Sequence, residues 1–435
     1  MRTIDKGKAA FNAVIIAWVI TSIYYFYQYV LRSAPAVMVP ELTAAFGLTA
    51  AGLTSLLGLF YYGYAVFSLI AGLAMDQIGP RLVVPVGAAA VGIGALLFAT
   101  GDSSLAGFGR LLQGAGGVFA LIGAIYLVTT SFPAARAATF IGATQMFGMA
   151  GGSAGQFLVG PAIAAGLPWD EFWTLMGVAG LAVAGLLFFA LPGRDRHAKA
   201  SSSGWVKNAA TAMKVVFSNP QSILCGFIAG LMFVPTTIFD MVWGVRFLQE
   251  SHAMPYAEAV MRSASVPFGW IIGCPLLGAL SDRIGRRKPV ILGGAAALLV
   301  CLLLILYGAP DLFPAYSLGL VAGIASGAAM LPYTVIKEAN RPEHSGTATG
   351  VINFINFSFS ALLGPVFGHL LLHVSGGGQR ALEHYQTAFA PLAGGVALAI
   401  VLTLLLRETG PAARATTAPA IGTEPHTKGR HAAGS

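Results

Sequence analysis

The sequence predicts an all-α membrane protein, with about twelve transmembrane helices in two six-helix bundles of pseudo-two-fold symmetry. Three observations carry that expectation. Of the 435 residues 56% are hydrophobic and only 10% charged, whereas soluble domains carry roughly a quarter charged residues. Such a chain cannot cover a water-facing surface of its own. Windows of about 20 apolar residues, the length that crosses hydrocarbon as a helix, recur from Phe11 to Leu406 with only short breaks. One loop motif occurs twice, 206 residues apart, at matching places in the two halves.

The spans are taken in order. In the first half they fall at 11–39, 49–75, 82–100, 105–131, 138–165 and 172–191. In the second they fall at 221–248, 259–281, 289–308, 313–337, 346–373 and 385–406. A β-barrel would instead show segments of about ten residues with alternating polarity, and none occurs. The first apolar run is too long for a cleaved signal, and no small-residue cleavage site follows it. The expected units are an N-terminal bundle over 1–191, a cytoplasmic linker over 192–220, a C-terminal bundle over 221–408 and a disordered cytoplasmic tail over 409–435. The linker carries Arg194, Asp195, Arg196, Lys199, the run Ser201 to Ser203 and Lys207. The tail is rich in Ala, Thr, Pro and Gly, a composition that does not build a core.

Charge sets the orientation. Placing the N-terminus in the cytoplasm puts 20 of the 25 Lys and Arg residues on that side, as the positive-inside rule requires. The exceptions are Arg32, Arg110, Arg246, Arg262 and Arg380. Both termini are then cytoplasmic, in a bacterial-type inner membrane. The net charge of +8 therefore reports topology, and no nucleic-acid partner is expected. Cys225, Cys274 and Cys301 fall in or near spans and give no disulfide framework; they read as small apolar packing residues.

The halves repeat in detail. Gly72-Leu-Ala-Met-Asp76-Gln-Ile-Gly79-Pro-Arg81 follows the second span, and Gly278-Ala-Leu-Ser-Asp282-Arg-Ile-Gly285-Arg-Arg287 follows the eighth. Thr139-Phe-Ile-Gly142-Ala-Thr-Gln145 is echoed by Thr347-Ala-Thr-Gly350-Val-Ile-Asn353 at an offset of 208. Internal repeats with a solute site near the midplane between them are typical of secondary transporters. Gly72 and Gly278 allow close helix approach, and Gly79 and Gly285 allow a tight turn. Asp76 and Asp282 can accept from the N-terminus of a neighbouring helix. They can also pair with arginine, Arg81 or Arg136 on one side and Arg287 or Arg341 on the other. Such contacts would hold an inward gate shut. The alternative is loop charges that only obey topology.

The duplicated motif, the two halves and the basic linker resemble the major facilitator superfamily along residues 10–408. Arg110-Leu-Leu-Gln113-Gly114 is similar to its fourth-span R-x-x-Q-G pattern, with Arg110 either relaying charge or bracing that span. Gln77 stands where the family usually has Lys or Arg.

Ionisable groups at membrane depth are costly and point to function. Arg32 lies about 30 Å of helical rise beyond Phe11. With Gln28, Tyr25 and Thr21 on the same helix face, it forms a polar-aromatic stripe suited to a hydrated cavity. Snorkelling to the outer interface is the alternative. The run Tyr24 to Arg32, continuing to Pro40, resembles the organic-anion and sugar-phosphate permease branch of the superfamily, where that arginine holds the anionic group. An arginine fork suits carboxylate or phosphate. The phosphate exchangers carry a second arginine in the seventh span, where this chain has Thr236 or Thr237, so a carboxylate or zwitterion fits better than phosphate. Asp240 lies in the seventh span, beyond an expected kink at Pro235. A carboxylate in a low-dielectric cavity favours its neutral form and so can carry a proton. Asp240 is thus a candidate coupling site or a partner for Arg32, the alternative being an outer-end charge that balances Arg246. Gln145, Asn353 and Asn356 could read polar substrate groups, or bond between helices. Tyr61, Tyr64, Tyr126, Trp270 and Tyr333 are candidate cavity walls.

His369 and His373 have a metal-like spacing without an acidic partner, and the glycine-rich stretch at 148–155 lacks the Gly-Lys-Ser/Thr ending of a phosphate loop. No metal or cofactor is expected. No enzyme is expected either, since no nucleophile–base set occurs. The resemblance implies a monomeric secondary transporter in the lipid bilayer. Its small-molecule substrate would be an organic anion or an amino-acid-like zwitterion, coupled to protons or to a counter-ion. The alternatives are multidrug-type efflux, against which Gly160-Pro161 is followed by Ala-Ile-Ala-Ala where the antiporter pattern needs two glycines, and a non-transporting membrane sensor on the same fold.

Overall fold

The computed structural model describes residues 2–191, 205–309, 312–376 and 378–412. Residues 192–204 of the linker expected at 192–220, and the tail from 413, lie outside them; the rest of the linker is mostly a helix, Trp205–Ser218. Twelve long helices form the body. They are α1 (Arg2–Ser33), α2 (Ala50–Gln77), α3 (Pro80–Ala99), α4 (Ser103–Ser131), α5 (Ala137–Phe157) and α6 (Trp169–Ala190). The second set is α7 (Pro220–His252), α8 (Tyr256–Ile284), α9 (Lys288–Tyr307), α10 (Ser317–Glu338), α11 (Ser345–Val374) and α12 (Leu382–Leu405). Local chemistry starts several of them. Thr49 caps α2 through Gly52 N, Asp102 caps α4 through Ser104 N and Leu105 N, and Asn219 caps α7 through Gln221 N, each satisfying an orphan donor.

Eleven of these helices are long and apolar enough to cross a membrane. The exception, α5, has the length, 21 residues. Its threonines, glutamines and glycines make it too polar, and it packs centrally against α1 and α8. The outer surface is apolar, with Phe189 82% and Leu362 70% exposed; only lipid makes that tolerable. The chain is an integral, multi-pass membrane protein.

The same contacts occur twice. α1 packs on α5 and α6, α2 on α4, and α3 on α4 and α6; correspondingly α7 packs on α11 and α12, α8 on α10, and α9 on α10 and α12. The halves meet through α2 against α11 and α5 against α8, two pairs that exchange under the same symmetry. Glycines set those approaches. A Cβ on Gly72 would lie 2.5 Å from the Gly346 carbonyl oxygen, and one on Gly142 or Gly278 would strike backbone of Cys274 or Ala138. Gly79 and Gly285 have φ of 92° and 70°, a region that favours glycine.

Pro235 does not produce the expected simple kink. Helix α7 continues through it as a π-helical segment, Pro235–Gly244, and Asp240 sits in the widened turns.

Candidate functional site

At the motif end of the bundle the two repeats bind one another crosswise. Asp76 accepts from Gly346 N, Thr347 N and Thr347 Oγ1 at 2.7, 2.7 and 2.6 Å. Asp282 accepts from Thr139 N and Thr139 Oγ1 at 2.8 and 2.7 Å. Each carboxylate therefore caps the first turn of a helix in the opposite half, where free N–H groups and the helix dipole favour negative charge.

The expected arginine partners divide. Arg287 is fully buried and bridges Asp282 (2.6 Å) and Glu338 (2.9 Å). Among the described residues neither Arg81 nor Arg136 pairs with Asp76, whose two oxygens are already occupied by the donors of α11. Arg81 lies over the Phe188 ring at 5.6 Å, Arg136 is exposed, and Arg341 pairs with Glu343 at 3.3 Å. Sequence reading missed Lys337, which reaches from α10 to Ile125 O (3.3 Å) and Thr129 Oγ1 (3.0 Å) of α4. It also missed Glu408, which accepts from Arg287 N and Lys288 N at the start of α9.

Deeper in the bundle, Arg32 stands in an aromatic cage. Its guanidinium carbon lies 4.9 Å from the Tyr29 and Tyr61 ring centroids, 5.4 Å from Phe357 and 6.0 Å from Phe60. Phe357 comes from the opposite half, so Arg32 faces inward and does not snorkel. Nε donates to Tyr61 Oη (3.3 Å), while Nη1 is buried with no partner. No carboxylate pairs with it among the described residues. Arg110 is buried nearby, 5.1 Å from the same Phe60 ring. It donates to Gln113 Oε1 (2.7 Å), Leu31 O (3.3 Å) and Leu57 O (3.5 Å), bracing α4 against α1 and α2.

The amides surround this cage from both halves. Tyr25 Oη donates to Gln145 Oε1 (3.0 Å) and lies 3.2 Å from Tyr29 Oη. Tyr333 Oη donates to Asn353 Oδ1 and accepts from Asn356 Nδ2, both at 3.1 Å, and Asn353 Nδ2 donates to Ser68 Oγ (2.8 Å) across the halves. Both polar atoms of Gln28, together with Gln145 Nε2 and Asn356 Oδ1, are buried without a hydrogen-bond partner. Folded proteins pair the great majority of such atoms; here several lie unpaired beside Arg32, whose Nη1 is unpaired as well.

Asp240 is not part of that cluster. Ser263 Oγ donates to its Oδ1 (3.0 Å), and it lines a separate cavity within the second half. The expected Arg32–Asp240 pair is thus absent, because the widened turns of α7 turn Asp240 toward α8. Trp270 is likewise turned away from the cage, donating to Thr236 Oγ1 (2.9 Å).

Known proteins share the fold. The chain is 25% identical over 369 residues to the probable sulfoacetate transporter SauU of Cupriavidus necator, covering 80% of this chain and 85% of that one. The fold matches the E. coli fucose:proton symporter FucP with a TM-score of 0.70 at 15% identity, over 90% of this chain and 99% of that one. It matches the proton:xylose symporter XylE with a TM-score of 0.72 at 13% identity, over 92% and 97%. Residues 21–362 match the Major Facilitator Superfamily. With that match spanning both repeats, and the repeats packed as two equivalent helix sets, the chain belongs to the major facilitator superfamily.

Proposed function

We propose that this transporter carries a small organic anion by alternating access, with Arg32 as the group that holds the anion. One observation carries the reading: a guanidinium at the contact of the two halves, with a buried unpaired Nη1 and no carboxylate beside it. Leaving such a charge without a counter-charge is costly, and an anionic substrate supplies one. A zwitterion would need a carboxylate for its ammonium, and Asp240, the acidic residue of the seventh span, lines a cavity apart from Arg32. A sulfonate or carboxylate therefore fits better than an amino acid. SauU, whose name gives sulfoacetate as its substrate, agrees with that class.

In this proposal the halves 1–191 and 221–408 rock about the Arg32 cage. The crosswise Asp76 and Asp282 contacts close the cytoplasmic side of a bacterial inner membrane, both termini lying on that side. Tyr25, Gln28, Gln145, Tyr333, Asn353 and Asn356 orient the substrate. Coupling is to protons, carried by Asp240, or to a counter-anion. Proteoliposomes test the scheme. Sulfoacetate and small carboxylates should enter by counterflow, and uptake should vanish in Arg32→Ala. Uptake of amino acids or lipophilic cations in preference to anions would overturn it, and binding without counterflow would indicate a sensor. If Asp240 carries the proton, Asp240→Asn should retain counterflow while losing its response to an imposed pH gradient.

A further inference from the structure

The C-terminal half contains a cavity of about 120 Å³, bounded by α7, α8, α9 and α10 and by Phe313, Pro314 and Tyr316 between the last two. Its walls are largely apolar, with Leu298, Leu302, Ile305, Phe313 and Leu318 among them. A cavity of about 150 Å³ with such a lining accepts a single benzene ring, so this one suits a single ring or a short alkyl chain.

One end is different. The π-helical segment of α7 presents Phe239 and Asp240 to the cavity, and segments of this kind occur often at functional sites. Ser263 holds Asp240 Oδ1 at 3.0 Å. Oδ2 has no protein partner, yet it is not among the sealed polar atoms of the structure; it opens on the cavity. Of the basic side chains in the lining, Arg262 is engaged by Glu258 at 2.8 and 3.0 Å and His252 packs edge-on against Phe247 at 5.3 Å. Asp240 is therefore a carboxylate in a largely apolar chamber with no cation paired to it among the described residues, and burying such a group is costly without a counter-charge. Phe239 and Phe247 line the same chamber, and aromatic faces attract ammonium groups.

We propose that this cavity is a binding site for a small organic monocation, a primary ammonium on one aromatic ring or a short alkyl chain, with the ammonium on Asp240 and the apolar body against α9. A proton and such a cation are alternative partners for the same oxygen. The site is distinct from the Arg32 cage and does not depend on what that cage carries.

Isothermal titration of the purified full-length protein with benzylamine and with benzyl alcohol, alike in shape and different in charge, tests this. Benzylamine should bind at least about tenfold more tightly than benzyl alcohol, a difference of about 1.4 kcal/mol. Asp240→Asn should remove that preference, and Leu302→Trp, which fills the chamber, should abolish binding of both. Equal binding of the two compounds to the unmodified protein would overturn the proposal, as would tighter binding of the alcohol, no binding of the amine at millimolar concentration, or an undiminished preference in Asp240→Asn. The first three outcomes need no variant and are decisive even if one fails to fold.

Discussion

Replacing Asp76 by Asn should open the motif end of the transporter, and the structure sets the size of the effect. Asp76 accepts three hydrogen bonds from the first turn of α11, all at 2.6 to 2.7 Å. Asn retains one acceptor oxygen. If that oxygen stays with Thr347, the new NH₂ faces Gly346 N–H, donor against donor. Losing one hydrogen bond to a charged group costs about 1.5–3 kcal/mol, and losing a negative charge from a helix N-terminus costs about 0.3–1 kcal/mol. With water relieving part of the clash, about 2–3 kcal/mol is lost from the closed state alone, a shift of about 30- to 150-fold toward opening. Spin labels on Ala134→Cys and Glu343→Cys report this by pulsed dipolar spectroscopy. Both positions are exposed at the motif end, one on each half, and the native cysteines are buried. The Asp76→Asn distances should lengthen. Asp282→Asn should lengthen them at least as much, since it also deprives buried Arg287 of a carboxylate. Unchanged distance distributions in a folded Asp76→Asn protein would refute the reasoning.

Arg32→Lys should weaken substrate binding at least about tenfold, since a lysine keeps the charge but gives up one of the fork's two parallel charged bonds, about 1.5 kcal/mol; isothermal titration with the transported anion would show it. Gly142→Leu should hold the halves apart at α5 and α8, because even its Cβ strikes the Cys274 carbonyl oxygen, whereas Gly58→Leu, whose Cβ meets nothing within 4 Å, should behave as the unmodified protein in the same distance measurement. Tyr333→Phe removes the hydroxyl that joins Asn353 to Asn356 and leaves buried amide atoms unpaired, a loss of about 1–3 kcal/mol that should lower Tm.

The fold was legible because its solvent dictates it. Twenty apolar residues between loop charges leave a helix as the available structure in hydrocarbon, and eleven spans stand out on that ground. The fifth is less apolar because α5 packs inside the bundle, where Gly142, Gly148 and Gly151 matter more than greasiness. The duplicated motif and the Thr-x-x-Gly echo were both visible as repeats. What was not visible is that they are each other's partners, Asp76 with Thr347 and Asp282 with Thr139. No spacing within one half encodes a contact made in the other. Phe357 over Arg32, Ser68 under Asn353 and Lys337 against Thr129 escaped notice for the same reason. The Arg81 and Arg136 contacts expected at Asp76 failed differently. Charge alone proposed them, while the other partner expected for Asp76, a helix N-terminus, fills the carboxylate with the N–H groups of α11.

Symmetry also separates the parts of this molecule by task. Where the halves agree, at Gly72 and Gly278, Asp76 and Asp282, Thr139 and Thr347, the residues join one half to the other, and a joint used in turn by both halves needs matching geometry. Where they disagree, the difference is one of charge. The first half holds Arg32 and Arg110 around Phe60 without a carboxylate, and the second holds Asp240 without a cation. Had these charges been structural, pairing them would be the less costly arrangement, because a buried charge left without its partner destabilises by about 3–5 kcal/mol. They are instead kept in separate chambers. On the two proposals made above each site gains its counter-charge from a ligand, and only at the Arg32 cage, where Phe357 of the second half meets Arg32 of the first, does entry change the electrostatic cost of keeping the halves together.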